Sequence, residues 1–448
     1  MDPPDAAPLT VVHRVRTGRR GRPRVEIDPQ FLRAALDLRG PTGIAPKLGV
    51  SARTVRRAAL RAGLVQPGAP VFQSRTNSNG ELEIVHTSTA PPVSNEELDL
   101  LLSETLEVFP QFGRRMIRGH LKSQGYRIPR DRITASYLRV HGAPAIFGDR
   151  QISLVSLDRC LIRYKIVIHC IIDGYSRFVL GIRVHNNNRG ASVLRLLLDV
   201  IALHGCPSRM RGDHGVENIE VAEYMERVKG SGRGSFIWGR SVHNTRIERL
   251  WYDVTHGFGK KWKVLFLDLE TNHGLNPTRP GHIWLLHHLF LASINRDALD
   301  WCEAWNSHQL TVRRQRERSP RDLFTFGMLR EGRRGISSFL AAEDEEIDEY
   351  GIDWEANAEP ELMAHLFENN PDERTNNTDP FASSSTPANL SEVLCEPPGC
   401  PFTPRQLQLL ELRLDASVDL FSRNMNVRRL VWVRALQIAQ EIQQGSVQ

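Results

Sequence analysis

Hydrophobic and polar positions change their spacing along the chain, and the change predicts where helices give way to strands. From residue 28 to residue 142, apolar side chains recur every three or four positions, which is typical of amphipathic helices. After residue 151, apolar residues alternate with polar ones or form short continuous runs, which is typical of strands. The predicted strands are 152–157, 164–172, 178–184 and 208–211. With helices predicted at 190–204, 221–228 and 241–254, this region should form an α/β sheet covered by helices.

Composition divides the rest of the chain into further segments. Stretches rich in Pro, Gly, Ser and Asn predict linkers, and an acidic stretch followed by Asn, Thr, Ser and Pro predicts a largely disordered one. The predicted segments are a basic arm with helices at 1–66, a linker at 67–94, a second helical subdomain at 95–142, the α/β core at 151–330, the acidic linker at 331–402 and a helical segment at 403–448.

The first helical region has the pattern of a helix-turn-helix unit. Asp28 and Pro29 predict a helix start, Gly49 permits a tight turn, and Ser51 is suited to cap the helix that follows. In such a unit the second helix enters the major groove of DNA. Many three-helix bundles look similar, but the outward positions of this second helix are polar or basic, which favours DNA binding. These positions are Arg53, Thr54, Arg56 and Arg57.

Two further basic features indicate the same kind of ligand. Gly21-Arg-Pro-Arg24 resembles the core of an AT-hook, in which Arg22 and Arg24 would enter a narrow minor groove. A solvated basic arm or an import signal would have the same composition. The helices of 95–142 carry a basic face that resembles a second helix-turn-helix, although a helical spacer would also fit. On that face the arginines expected to contact DNA include Arg114, Arg115 and Arg118.

Charge is distributed unevenly along the 448 residues. The net charge is +6 and the pI is about 9.1, but residues 1–66 carry +8 and residues 343–374 carry −12. A basic body with one acidic segment fits a polyanion such as DNA better than a membrane or a small-molecule substrate. The sequence has no apolar run long enough to span a bilayer and no basic-then-apolar leader, so we expect an intracellular protein.

Two carboxylates stand out within the α/β region. Asp213 follows the last predicted strand in a Gly-flanked turn, and Glu248 lies 35 positions later on a predicted helix. Hard cations such as Mg²⁺ prefer carboxylate oxygens, and phosphoryl transfer uses such cations in pairs. His214, Asn218, Asn244 and Arg246 surround the two acids in sequence and would support them. Acid pairs with purely structural roles are also common.

Three sequence runs resemble the core of retroviral-type integrases and transposases, of the kind found in eukaryotic and especially fungal genomes. They are Ile172-Asp-Gly-Tyr-Ser-Arg-Phe178, Arg211-Gly-Asp-His-Gly-Val-Glu-Asn218 and His243-Asn-Thr-Arg-Ile-Glu-Arg-Leu-Trp251, and the closing run Trp305-Asn-Ser-His308 also fits. The resemblance implies an RNase H-like core that uses Mg²⁺ or Mn²⁺ for 3′-end processing and strand transfer of DNA. It implies that Asp213 and Glu248 are the second and third acids of an Asp, Asp, Glu triad. It further implies a nuclear protein that acts as a homo-oligomer.

The first acid of that triad departs from the family pattern. The register set by Leu161-Ile-Arg163 places Ser156 where the family carries its first aspartate. Asp158 lies two residues later, where its side chain would point to the same side of a strand. Asp173, at the end of the second strand, is expected to support the site or the fold rather than bind metal. The main alternative is therefore a catalytically inactive, transposon-derived DNA-binding protein. A nuclease acting on RNA hybrids fits less well, because a helix-turn-helix suits duplex DNA.

Overall fold

The computed structural model describes most of the chain and divides it into two compact units. One unit contains Pro3–Leu98 and Thr325–Arg333, and the other contains Asp99–Phe324 and Arg334–Gln448. No helix among the described residues is both long and apolar enough to cross a membrane. The described residues are 10–16, 23–67, 72–76, 82–86, 93–141, 161–230, 234–238, 245–310, 318–331 and 390–445.

The smaller unit has a short hairpin followed by three helices. Strands β1 (Val12–Val15) and β2 (Arg24–Ile27) pair antiparallel. They precede α1 (Pro29–Leu38), α2 (Pro41–Ile44), a 3₁₀ turn (Ala45–Lys47) and α3 (Ala52–Arg61). The core of this unit is apolar and includes Leu32, Ile44, Val55 and Phe326.

Local sequence signals determine where these helices begin. Asp28 caps α1, because its carboxylate accepts a hydrogen bond of 2.7 Å from the backbone N–H of Phe31. Ser51 caps α3 in the same way through the N–H of Thr54, at 3.1 Å. Gly49 has a φ of +61°, a backbone conformation that glycine adopts without steric cost.

The segment predicted as a linker at 67–94 contains regular structure. Strands β3 (Phe72–Thr76) and β4 (Leu82–His86) pair antiparallel. The intervening Asn-Ser-Asn-Gly is a turn sequence, and Asn-Gly between two runs that contain β-branched residues is a hairpin signal.

The larger unit begins with three helices, α4 (Asn95–Val108), α5 (Arg114–Ser123) and α6 (Arg130–His141). Helix α4 begins in the smaller unit and continues into the larger one. Helices α4 and α6 are joined at Asp99, whose carboxylate accepts bonds of 2.7 and 2.8 Å from Arg139. Residues 99–141 therefore belong to the same compact unit as the α/β core.

In the described part of the α/β region, the strands pair two by two. Strands β5 (Val167–Ile172) and β6 (Val179–His185) are antiparallel, whereas β7 (Met210–Gly212) and β8 (Phe236–Trp238) are parallel. Between and after them lie α7 (Gly190–His204), α8 (Ile219–Lys229) and α9 (Thr245–Val254). The predicted strand at 152–157 lies outside the described residues, and the strand predicted from residue 164 starts three residues later because the chain turns at Lys165, where φ is +54°.

Helix α9 continues through a π-helical segment (Thr255–Gly259) into α10 (Lys260–Asn272), and α11 (Pro280–Ser307) follows. Two asparagines of α11 complete the backbone hydrogen bonding of β6. Asn295 bonds to the N–H and the carbonyl of Val184, at 2.9 and 2.8 Å. Asn306 bonds to both groups of Val179, at 2.9 Å each. Each side-chain amide therefore replaces a neighbouring strand.

Helix α12 (Pro320–Glu331) begins in the larger unit and belongs to the smaller one from Thr325 onward. After undescribed residues follow α13 (Pro404–Asp415) and α14 (Met425–Gly445), which belong to the larger unit. Between α13 and α14, Arg423 forms ion pairs with Asp297 and Asp300 of α11. Residues 390–396 contact the α/β core and lie within the segment 331–402 that composition predicts as a largely disordered linker. Composition alone did not show that Leu390 has an apolar cluster to pack against.

Candidate active site

Asp213 lies immediately after the carboxyl end of β7. This strand pairs in parallel with β8, and Phe236 and Trp238 of β8 are buried. The Asp213 residue itself is exposed. The carboxyl end of a strand in an α/β fold is a common place for functional side chains, because the strand is rigid and the following loop is open to solvent.

Asn218 fixes the direction of the Asp213 side chain. Its amide group donates a hydrogen bond of 2.7 Å to Oδ1 of Asp213 and a longer one of 3.3 Å to the Asp213 carbonyl. A 3₁₀ turn (Val216–Asn218) brings Asn218 back towards the acid. We refer to residues 213–218 as the acid loop.

Glu217 is a second carboxylate of the acid loop that the sequence interpretation did not single out. Burial and the negative charge of Asp213 both raise the pKa of Glu217. Asn188 donates a hydrogen bond of 3.2 Å to Oε2 of Glu217. A Cβ atom at Gly215 would lie 2.4 Å from Oε1 of Glu217, so a side chain there would displace the Glu217 carboxylate. The only sequence signal for this arrangement was its position four residues after Asp213.

A chain of polar contacts continues from Glu217 into the β5–β6 pair. The side-chain oxygen of Asn188 is 3.0 Å from Nε2 of His169, and Nδ1 of His169 is 2.8 Å from Nδ1 of His185. Burial is the main cause that lowers the pKa of both histidines, that of His185 to about 4. A neutral histidine pair can share one proton, so the contact is a hydrogen bond without charge.

A segment from the far C-terminal part of the chain, residues 390–396, runs beside the acid loop. We call it the strap. The N–H of Ser391 donates a hydrogen bond of 2.8 Å to the carbonyl of His214, and the N–H of Val216 donates one of 3.1 Å to the carbonyl of Ser391. The result is a parallel bridge between Gly215 and Ser391. No motif or periodicity in the sequence predicted this contact.

Glu248 lies in the first turns of α9, three residues after Thr245. The structure describes the backbone of α9 at Glu248 and Arg246 but not their side chains. Glu248 is therefore placed on this helix, and the distance from its carboxylate to Asp213 is not defined. Asn244 lies outside the described residues. Leu250 and Val254 are buried and hold α9 against the unit. The π-helical segment that follows α9 is a type of irregularity often found at functional sites.

The first acid falls outside the described residues. Asp158 and Ser156 both lie in 151–160, so the structure does not choose between them. Asp173, by contrast, shapes the turn between β5 and β6. Its Oδ2 atom accepts hydrogen bonds from the N–H and the hydroxyl of Ser176, at 2.7 and 2.6 Å.

The donor chemistry of the acid loop fits a hard divalent cation in part. Asp213 offers exposed carboxylate oxygens, and its charge already disfavours the ionised form of the nearby Glu217, a repulsion that a cation would relieve. Within the described residues, no group of three or more His, Cys, Asp or Glu side chains is arranged to hold a metal ion. The other two ligands that the resemblance implies are Glu248 and Asp158, whose side chains lie outside the described part.

The arginines predicted to contact DNA have different surroundings. Arg53, Arg56 and Arg57 are exposed on α3, and Thr54 is bonded to the hydroxyl of Ser51 at 2.9 Å. Arg114 and Arg115 are exposed on α5, whereas Arg118 donates to the side chain of Gln309 at 2.7 Å. Arg24 is 3.4 Å from Glu26, and Arg22 lies outside the described residues.

Comparison with known proteins identifies the central region. Residues 153–337 match the family model of the integrase core domain. This part of the chain is therefore similar to integrase core domains, which suggests an integrase- or transposase-like protein. The matched stretch contains β5–β8, the acid loop and α9, and it ends before the strap. No curated protein and no solved structure matches the chain.

Proposed function

We propose that the protein binds DNA and catalyses metal-dependent 3′-end processing and strand transfer through an RNase H-like core. The observation that carries the proposal is the placement of Asp213. It is an exposed acid at the carboxyl end of a paired strand, held by Asn218, inside a stretch that matches an integrase core. Buried or randomly oriented acids would not meet these conditions.

In this proposal Asp213, Glu248 and Asp158 hold Mg²⁺ or Mn²⁺. A bound pair of these ions supplies Lewis acidity for the attacking and leaving oxygens of an in-line phosphoryl displacement. Water attacks the DNA phosphorus in the first step, and the O3′ of the nucleotide on the 5′ side of the cut leaves and takes up a proton. The retained strand then ends in a free 3′-hydroxyl, and the released piece carries the 5′-phosphate. In the second step that hydroxyl attacks a phosphorus of the target strand and displaces another O3′, so one phosphodiester bond forms as one breaks.

The exposed basic residues support DNA as the substrate in this proposal. The exposed arginines of α3 suit the major groove, and those of α5 suit the phosphate backbone. DNA in a cell with a nucleus implies a nuclear location, and joining two DNA ends implies a homo-oligomer. Both belong to the proposal, as does the role of His214, Asn244 and Arg246 in supporting the acids.

A second candidate function is a catalytically inactive DNA-binding protein derived from a transposon. The observation that favours it is the run Leu154-Val-Ser-Leu-Asp158, which has Ser156 where the family carries its first aspartate. This candidate keeps DNA binding and loses strand transfer.

A strand-transfer assay with Mn²⁺ tests the proposal directly. We expect Asp213→Asn to abolish strand transfer and to leave DNA affinity unchanged, because the variant removes a metal ligand and no DNA contact. Asp199→Asn, an exposed aspartate on α7 whose side chain is 52% accessible, is the matched control and should keep full activity. Unchanged strand transfer by Asp213→Asn would rule out the metal-site assignment, and an inactive wild type would favour the second candidate.

A further inference from the structure

The strap contacts the acid loop through backbone groups. Besides its two backbone bonds, the hydroxyl of Ser391 donates to the carbonyl of His214, at 3.2 Å. The carbonyl of the residue after Asp213 therefore accepts two hydrogen bonds from one residue of the strap. The N–H of Val216 is satisfied by the same residue. The backbone groups on either side of Gly215 are thus hydrogen-bonded to the strap.

The strap is itself anchored at three further points. Leu390 packs against an apolar cluster of α7, α8 and β8. Cys395 is only 3% exposed, and its carbonyl accepts a hydrogen bond of 3.0 Å from the N–H of Asn188. Glu396 forms a bidentate ion pair with Arg189, with Nε 2.9 Å from Oε1. These anchors fix the strap on the core independently of its bonds to the acid loop.

Asn188 connects the strap to the loop by a second route. Its backbone N–H donates to the carbonyl of Cys395, and its side-chain amide donates to Glu217. Its amide is also 3.5 Å from the carbonyl of Val393. A shift of the strap would therefore act on the loop at Gly215 and at Glu217 together.

We infer that the strap is a positioning element of the active site, which holds the acid loop in the geometry that metal binding requires. The inference rests on the proposed role of Asp213. An exposed loop opens locally at little cost unless hydrogen bonds restrain it, whereas metal ligands need placement within about 0.5 Å. The strap lies beyond residue 337, so the part of the chain that matches the integrase core does not contain this restraint.

Two substitutions of Ser391 in the full chain separate the backbone bonds from the side-chain bond. Ser391→Pro removes the N–H that donates to His214, whereas Ser391→Ala keeps it and loses only the hydroxyl. The first measurement is hydrogen–deuterium exchange of the Val216 amide. We expect exchange to become about tenfold faster in Ser391→Pro, the effect of losing one backbone hydrogen bond, and to stay near wild type in Ser391→Ala.

The second measurement is the affinity for Mn²⁺ by titration calorimetry. We expect Ser391→Pro to bind Mn²⁺ about tenfold more weakly than Ser391→Ala, in proportion to the loosened loop. Equal exchange in the two variants would overturn the inference, as would Mn²⁺ binding by Ser391→Pro that is as tight as that by Ser391→Ala or tighter. If the wild type binds no Mn²⁺, the proposed function fails, whereas the exchange experiment still decides whether the strap restrains the loop.

A second pair of variants covers the case in which Ser391→Pro does not fold. Cys395→Asp places a charge at a buried position of the strap and should release it from the core. Cys400→Asp makes the same change at an exposed position and is the control. We expect faster exchange at Val216 and weaker Mn²⁺ binding only for Cys395→Asp, with the thermal melting of the two variants compared to show that the unit remains folded.

Discussion

The side-chain amide of Asn218 donates a hydrogen bond of 2.7 Å to Oδ1 of Asp213. The bond restricts rotation of the carboxylate. An exposed acid would otherwise populate several rotamers, and a metal ion would have to select one of them. Asn218 thus orients the Asp213 side chain.

Asn218→Ala should weaken the binding of Mn²⁺ by about threefold to tenfold, because one hydrogen bond to a charged but exposed group is lost. Calorimetry on the full chain measures this change. Asn272→Ala is a matched control, since Asn272 makes a similar bond of 2.8 Å to Asp268 on α10. An equal loss of affinity in both variants would contradict a specific role for Asn218.

Substitutions at Asp158 and Ser156, the two candidate positions of the first acid, should distinguish an active enzyme from a catalytically inactive DNA-binding protein. If Asp158 completes the triad, Asp158→Asn loses strand transfer to background and Ser156→Ala keeps it, because only a carboxylate offers the hard oxygen ligands that Mg²⁺ prefers. The measurement is strand transfer with Mn²⁺, with DNA affinity as the control. An inactive wild type that gains activity in Ser156→Asp would instead show a lost first acid.

Asn306→Ala should lower the free energy of unfolding by about 2–4 kcal/mol. The variant leaves the N–H and the carbonyl of Val179 buried without the two bonds of 2.9 Å that Asn306 provides. Urea unfolding measures the change. The control is Asn276→Ala in an exposed loop, where the loss should stay below about 1 kcal/mol. A decrease in the free energy of unfolding for Asn306→Ala as small as that for Asn276→Ala would show that β6 does not depend on the two bonds from Asn306.

His308 should make the larger unit sensitive to acid. Burial lowers the pKa of His308 from 6.5 to about 4, and the residue is 8% exposed. Between these pH values the unfolded chain binds a proton that the folded chain does not, so stability is lost as the pH falls from 6.5 to about 4. The contribution of this histidine is at most about 3 kcal/mol.

Unfolding by urea at several pH values between 4 and 7 tests this dependence. His308→Gln should show a shallower decline in the free energy of unfolding than the wild type. His13→Gln, at an exposed position, should reproduce the wild-type slope. The assignment to His308 would be wrong if His308→Gln kept that slope as well.

The triple variant Arg53→Ala, Arg56→Ala, Arg57→Ala should bind duplex DNA more weakly and with a smaller dependence on salt. Each lost phosphate contact reduces the slope of log affinity against log salt by about 0.9. Fluorescence anisotropy at several salt concentrations gives this slope. Arg33→Ala, at an exposed arginine on α1, is the control. It should change the DNA affinity and the salt slope by no more than the loss of one phosphate contact would. An unchanged slope in the triple variant would remove α3 from the DNA interface.

Local patterns in the sequence determined much of the secondary structure. The predicted helix at 190–204 is α7 without change, and Asp28 and Ser51 cap α1 and α3 as predicted. These features depend on side-chain periodicity and on residues within one helical turn, which a sequence displays directly. The sequence pattern did not predict β8, because a strand of three residues is too short to show an alternation of polar and apolar side chains.

The sequence also placed Asp213 at the end of a strand, but only the tertiary structure decided what surrounds it. Ser391 bonds to His214 across 177 positions, and Asn306 bonds to Val179 across 127. Such bonds form where packed elements bring distant backbone groups together, and the polar residues that make them follow no repeating pattern. The spacing of two acids could therefore indicate a metal site. The contacts of the strap and the hydrogen bonds from Asn295 and Asn306 to β6 are visible only in the folded chain.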